Sequence, residues 1–178
     1  NDRVTEVHAG GGNDRLYDFN WDGVKMYGGA GNDYIQGGGG DDVISGGTGV
    51  NELYGYGGND TFIFDDVSNS VSVVKDFNIY DYNENDKIQL GPEGNQKYSL
   101  FRKEADQILN GQDVYAEQIQ ILNISKGSWI HVNHATDFND ILDAMGAKPV
   151  LNANAQLTHF VDLAGNEITI AFYLKLFT

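Results

Sequence analysis

Acidic side chains recur at one offset inside glycine-rich turns. The turns read Gly28-Gly29-Ala30-Gly31-Asn32-Asp33, Gly37-Gly38-Gly39-Gly40-Asp41-Asp42 and Gly55-Tyr56-Gly57-Gly58-Asn59-Asp60, with Ala9-Gly10-Gly11-Gly12-Asn13-Asp14 one position changed. Gly46-Gly47-Thr48-Gly49-Val50-Asn51 keeps the pattern but ends on an amide. Glycine allows the positive φ of a tight turn, and Asn and Asp tolerate it next best. A carboxylate beside converging backbone carbonyls offers hard oxygen ligands, which suit Ca²⁺ and suit zinc or copper poorly. The candidate ligands are therefore Gly10, Gly12 and Asp14; Gly29, Gly31 and Asp33; Gly38, Gly40 and Asp42; Gly47, Gly49 and Asn51; and Gly58 and Asp60. The Asn51 site lacks a charge and is expected to be weaker unless Glu52 contributes. A further stretch, Asp18-Phe19-Asn20-Trp21-Asp22-Gly23, matches the opening D-x-N-x-D-G of an EF-hand-like loop, with Gly29 where the twelfth-position acid belongs. Two readings stay open for it: calcium held through Asp18, Asn20 and Asp22, or a bulged turn with solvated acids.

These turns need elements to hold them in register. Val7, Leu16, Met26, Ile35, Ile44, Leu53 and Phe62 are spaced by nine residues with a single ten. Each unit thus has six turn-forming residues and a three-residue strand whose middle side chain points into a core. A flexible linker of the same composition would carry no such register. The 178 residues hold 26 acidic and 11 basic side chains, a formal net charge of −15, which argues against nucleic acid as a partner and makes bound cations a ready source of neutralisation. Cysteine is absent, so no disulfide staples the chain. No apolar run reaches the roughly 18 residues of a membrane span.

The units resemble the G-G-x-G-x-D-x-U-x nonapeptides of repeats-in-toxin (RTX) proteins, in which two units complete one coil of a right-handed parallel β-roll that binds Ca²⁺. The resemblance implies that Asp14 shares an ion with Asp33, Asp33 with the turn holding Asn51, and Asp42 with Asp60, giving about three to five ions. Asn59-Asp60-Thr61-Phe62-Ile63-Phe64, Val73-Val74-Lys75-Asp76-Phe77 and Asn85-Asp86-Lys87-Ile88-Gln89-Leu90 are similar to the segment that closes such rolls. A last coil exposes an apolar end and unpaired edges, a role for which Phe62, Phe64, Val73, Phe77, Ile88 and Leu90 are suited. The loop from Asp81 to Asp86 again spaces oxygen ligands at alternate positions, but Asp86 and Pro92 stand where an EF-hand wants Gly and Glu, so of a calcium site and a solvated loop the second is favoured. The expected architecture is all-β: a roll over residues 1–63, its cap over 64–105, and a mostly antiparallel β-rich region with one short helix over 106–178. Asn1-Asp2-Arg3-Val4-Thr5 reads like the tail of another unit, so the chain is expected to begin within an array.

Beyond the cap, Ile119 to Ile124 and Trp129 to Val132 read as strands, Asp137 to Met145 as a capped helix, and His159 to Phe177 as a hairpin turned at Gly165-Asn166. His131 and His134 would lie on opposite faces of a strand, with no third ligand nearby, and read as ordinary strand residues. Neither His-Glu-x-x-His nor Gly-x-Ser-x-Gly occurs, and no enzymatic site is read from this chain. The resemblance implies a secreted or surface-exposed bacterial protein, an adhesin in first place, monomeric and not membrane-spanning. It would be exported by the type I secretion machinery through a C-terminal signal, with cell-surface or glycan ligands reached through upstream domains. The alternative is a polysaccharide-binding accessory module, prompted by Tyr17, Trp21, Tyr27, Tyr34 and Tyr54 on the outer surface. Only Thr48 occupies the offset that an ice-binding row of Thr would need.

Overall fold

A computed structural model of the chain describes residues 4–64, 70–78, 85–91, 97–103, 118–133, 137–155 and 157–173. Its first nine strands are β1 (Glu6–Gly11), β2 (Arg15–Tyr17), β3 (Lys25–Ala30), β4 (Tyr34–Gly38), β5 (Val43–Thr48), β6 (Val50–Tyr56), β7 (Thr61–Ile63), β8 (Val71–Val74) and β9 (Lys87–Gln89). Successive strands alternate between two sheets. β1, β3, β5, β7 and β9 pair in parallel in one, and β2, β4, β6 and β8 pair in parallel in the other. Two units therefore complete one coil, as the resemblance implies.

Because the coil repeat matches the side-chain alternation, like residues stack on like. Val7 pairs with Met26, Met26 with Ile44, Ile44 with Phe62 and Phe62 with Ile88. On the facing sheet Leu16 pairs with Ile35, Ile35 with Leu53 and Leu53 with Val74. Met26, Ile35, Ile44, Leu53, Phe62, Val74 and Ile88 are all buried, so the core is two columns of side chains closed by turns. The single ten-residue spacing is absorbed by the turn around residues 18–23, across which both strand rails advance by nineteen residues and not eighteen.

The parallel coils persist past residue 63. Phe62, Phe64, Phe77 and Ile88 are buried at the closing end, and Leu90 packs partly against them. Val73 departs from expectation. It stands opposite Glu52 on the outer face, while Val74 points inward and is fully buried, because the pairing of Leu53 with Val74 fixes the pleat by one residue.

The remaining elements are β10 (Lys97–Lys103), β11 (Gln118–Asn123), β12 (Ser128–Asn133), α1 (Phe138–Ala144), β13 (Lys148–Leu151), β14 (Leu157–Val161) and β15 (Glu167–Tyr173). Asp137 caps α1 by accepting the Asn139 N–H at 2.8 Å, and Ile141, Ala144 and Met145 are buried. β10–β11, β11–β12, β13–β14 and β14–β15 are antiparallel. Gly165 turns the last hairpin at φ +86°; residues 174–177 of that expected hairpin lie outside the described residues. β12 lies parallel to β8, and β10 parallel to β15. One ten-stranded sheet thus runs from β2 through the roll into the C-terminal region, so the roll's open edge at β8 is covered by a strand and not by a loop. α1 sits against β9, the last strand of the five-stranded sheet.

The stacked columns yield a stability prediction. Ile44→Ala removes a fully buried side chain between Met26 and Phe62 and should cost about 2 to 5 kcal/mol in denaturant unfolding at saturating calcium. Lys25→Ala, on an exposed position of the neighbouring strand, should change the midpoint little.

Candidate metal centre

The parallel register that stacks the apolar residues also stacks the acids. On one side of the roll, Asp33 Oδ1 accepts the Asp14 N–H at 2.8 Å, and Asn51 Oδ1 accepts the Asp33 N–H at 2.9 Å. On the other side, Asp42 Oδ1 accepts from Val24 N–H at 2.8 Å, Asp60 Oδ1 from Asp42 N–H at 2.9 Å, and Asp86 Oδ1 from Asp60 N–H at 3.0 Å. The pairs brought together are those expected to share ions: Asp14 with Asp33, Asp33 with Asn51, and Asp42 with Asp60. Asp33, Asp42 and Asp60 are only 2 %, 1 % and 0 % exposed.

Asp33, Asp42 and Asp60 each spend one oxygen on the N–H of the coil before. The second oxygen of Asp14, Asp33, Asp42 and Asp60 is buried and has no hydrogen-bond partner. A buried anionic oxygen without a partner is costly, and a bound cation is the ligand that would relieve it. The turns are shaped around these atoms. A Cβ on Gly28, Gly37 or Gly55 would collide with Oδ2 of Asp33, Asp42 or Asp60, so the first glycine of each unit is the seat of its own turn's carboxylate. Those three glycines were not among the candidate ligands. Their fixed place five residues before each acid is the signal that identifies them.

Backbone oxygens line the same turns. The carbonyls of Gly10 and Gly12 abut the α-carbons of Gly29 and Gly31, those of Gly29 and Gly31 abut Gly47 and Gly49, and that of Gly40 abuts Gly58. Gly31 has φ +131°, where an L side chain is strained as well as blocked. Among the described residues no three His, Cys, Asp or Glu side chains gather at metal-binding range. The donor set is therefore a few carboxylate oxygens with many carbonyls, which fits Ca²⁺ and would not hold zinc. Asp33, Asp42 and Asp60, with the turn carbonyls, are the groups that would hold it.

The electrostatics of the turns point the same way. Burial pushes the Asp42 carboxyl up to about 6, against the Val24 N–H that favours its charged form, and the negative charges of Asp18 and Asp41 add to the rise. Burial pushes Asp60 up to about 8, with Asp86, Asp42 and Asp76 adding repulsion.

Asn51 breaks the pattern. Its Oδ1 must face the Asp33 N–H, so its Nδ2 takes the place of the free carboxylate oxygen, beside Gly46, and donates to the Gly47 carbonyl at 3.3 Å. A donor stands where the other rungs present an anionic acceptor. The 18–23 turn differs again. Asp18 Oδ1 accepts from Phe19 N–H, Asn20 N–H and Asn20 Nδ2 at 2.8, 3.1 and 2.5 Å, while the carbonyls of Asp18 and Asn20 lie against Gly38. The glycines are lost, yet carbonyls still face the next coil, and Asp22 contributes backbone against Gly40.

Asp86 corrects the expectation of a solvated loop. Residues 81–84 lie outside the described residues, but Asp86 is buried and holds Asn78 N–H on its second oxygen at 2.8 Å. Asn85 N–H likewise donates to Asn59 Oδ1 at 2.9 Å. Asn85-Asp86 takes the place of Asn59-Asp60 one coil on, and with both oxygens engaged Asp86 ends the ladder. A second ladder, unforeseen from sequence, uses the residue before each acid. Asn13 Oδ1 accepts from Asn32 N–H, Asn32 Oδ1 from Val50 N–H and Asp41 Oδ1 from Asn59 N–H, running opposite to the first. His131 packs edge-on against Trp129; its expected companion His134 lies outside the described residues.

Two predictions follow from these rungs. Asn51→Asp should add one bound calcium per chain by isothermal titration, whereas Asp60→Asn, which keeps the Asp42 contact but removes the anionic oxygen, should subtract one. In EDTA, protonation should stabilise the roll: with folded-state values raised above the ordinary 3.8, stability is greatest at low pH and is lost as pH rises through about 6 to 8. Far-UV circular dichroism of the calcium-free chain should show more β structure at pH 5 than at pH 8, and calcium should erase the difference.

Comparison with curated proteins found no match, and neither did comparison with solved structures. Residues 27–62 match the family model of the RTX calcium-binding nonapeptide repeat in four copies. That match spans Met26's neighbour to the buried Phe62 and takes in the rungs at Asp33, Asp42, Asn51 and Asp60, so the repeat segment of this chain is an RTX calcium-binding β-roll.

Proposed function

We propose that the chain is the calcium-dependent folding module of a secreted bacterial RTX protein, an adhesin in first place. The observation that carries this reading is the set of four buried carboxylate oxygens without partners, stacked coil on coil. Without a divalent cation their desolvation and mutual repulsion oppose the fold, and the glycine-rich chain has little other local structure to fall back on. In a calcium-poor cytosol the module stays unfolded and competent for type I export. Outside the cell it folds as ions bind.

Magnitudes support such a switch. Extracellular calcium sites have dissociation constants of roughly 10⁻⁴ to 10⁻³ M. At millimolar calcium each contributes about 0.4 to 1.4 kcal/mol by mass action. Three to five sites together supply several kcal/mol, a large part of a typical domain stability of about 5 to 15 kcal/mol. Each ion bridges neighbouring coils, so binding and coil formation are cooperative. The roll is a structural element and not a catalytic one. In this reading residues 1–63 sense calcium, residues 64–105 cap the roll, and residues 106–178 carry the export signal.

Far-UV circular dichroism during a calcium titration of an EDTA-treated sample tests the switch, with magnesium as the control. A cooperative coil-to-β transition at sub-millimolar to millimolar calcium, unmatched by magnesium, is expected. A β spectrum unchanged by EDTA at neutral pH would overturn it.

A further inference from the structure

The outer face of the β2–β4–β6 sheet carries a run of aromatic rings unrelated to the metal rungs. Tyr17, Tyr34, Tyr54 and Tyr56 follow one another at centroid separations of 5.7, 5.4 and 5.7 Å, and Phe19 stacks on Tyr17 at 6.1 Å and 2°. The two ends of the run, Phe19 and Tyr56, both line a cavity of about 440 Å³ that opens between the 18–22 turn and the roll, together with Asp18, Asn20, Trp21 and Gln36. That volume lies within the roughly 300–1,000 Å³ of small-ligand sites. Phe19 is 82 % exposed and Trp21 85 % exposed, beside a half-exposed Tyr56, which is an apolar concentration that solvent alone does not explain.

The rings are held in place. Gln36 Nε2 donates to the hydroxyls of Tyr34 and Tyr56 at 2.6 and 2.8 Å, and the Tyr54 hydroxyl donates to Glu52 at 2.6 Å. Trp21 lies over the α-carbon of Gly39, where a Cβ would stand 2.8 Å from the ring, so one face is supported and the other is open. Tyr56 occupies the place of Gly38 one coil on and takes φ +68°, a conformation an L residue adopts only when its surroundings impose it; Asp76 accepts its N–H at 2.9 Å. A strained tyrosine in a glycine position, with its ring on the cavity, is what a binding surface would retain and a simple turn would not.

We propose that this cleft binds an uncharged polysaccharide, its pyranose rings stacking on Trp21, Phe19 and Tyr56. Fixed rings with open faces match a sugar's apolar face at low ordering cost, and Asp18, Asn20 and Gln36 offer polar partners to the hydroxyls at its rim. Charge selects the polymer. Asp18 lines the cleft, Glu52 lies along the same face, and the chain carries −15, so uronate-rich chains are repelled. The cleft is lined from three successive coils, so binding requires the folded roll.

Native affinity electrophoresis of the whole chain in calcium, through gels containing hydroxyethylcellulose, dextran or laminarin, with alginate as the anionic counterpart, tests this. Retardation by at least one neutral polymer but not by alginate is expected, with the Trp21→Ala/Phe19→Ala double variant weakened roughly tenfold or more while its calcium-induced β spectrum is unchanged. A folded chain that no neutral polymer retards, retardation by alginate alone, or a double variant that binds as well as the parent overturns the proposal. So does a dimer in sedimentation that the double variant abolishes, since it gives the surface to a second copy. Loss of the calcium-induced fold itself would strike the switch reading instead, and circular dichroism on the same samples separates the two.

Discussion

The structure depends on how each turn carboxylate divides its two oxygens. One takes the backbone N–H of the adjacent coil and thereby sets the coil-to-coil register; the other is forced into a buried position above the turn's own first glycine. The same atom pair links folding and cation binding. A neutral side chain in that position could make the first contact but not demand the second, and Asn51 shows how: its amide satisfies both itself and the Gly47 carbonyl without an ion. The roll is therefore a graded assembly, with rungs that leave a buried carboxylate oxygen available to a cation and two, at Asn51 and Asp86, that close on their own hydrogen bonds.

Apolar stacking alone would not make so narrow a roll stable, because each coil contributes only two inward side chains. The columns from Val7 to Ile88 and from Leu16 to Val74 align the coils, yet most of the chain in each coil lies in turns whose polar groups must be satisfied. The paired ladders do this, with the Asp ladder accepting from the coil before and the Asn ladder from the coil after. Fixing each turn from both directions leaves little freedom to slip by a residue, which would turn every inward side chain outward.

The ends are treated differently from the middle. At the closing end Asp86 uses both oxygens on backbone donors, so the ladder stops at a rung that needs no ion, and β12 continues the second sheet where the repeats stop. This joins the C-terminal strands to the roll through main-chain hydrogen bonds, so the last coil has a covered edge on that side. At the 18–23 turn the extra residue displaces the glycines, and the side chains released there form the aromatic cleft.

By itself the sequence determined the local rules: the nine-residue period, the inward column, the turn residues, the oxygen-rich ligand chemistry and the two-unit coil that the resemblance implied. Those were legible because a solenoid repeats its contacts at constant sequence separation, so periodicity is contact information. The capped helix at Asp137 and the hairpin at Gly165 were legible for the same local reason. Only the tertiary structure decided the features that join distant or irregular segments. Val74 and not Val73 faces inward because β8 pairs with β6; Asp86 leaves the solvent because it falls in line with Asp60; β12 joins β8, and β10 runs parallel to β15. No spacing announces these, since each depends on which strand lies alongside. The direction of the two side-chain ladders, and the oxygen each carboxylate leaves unpaired, likewise became definite only when one coil was laid on the next.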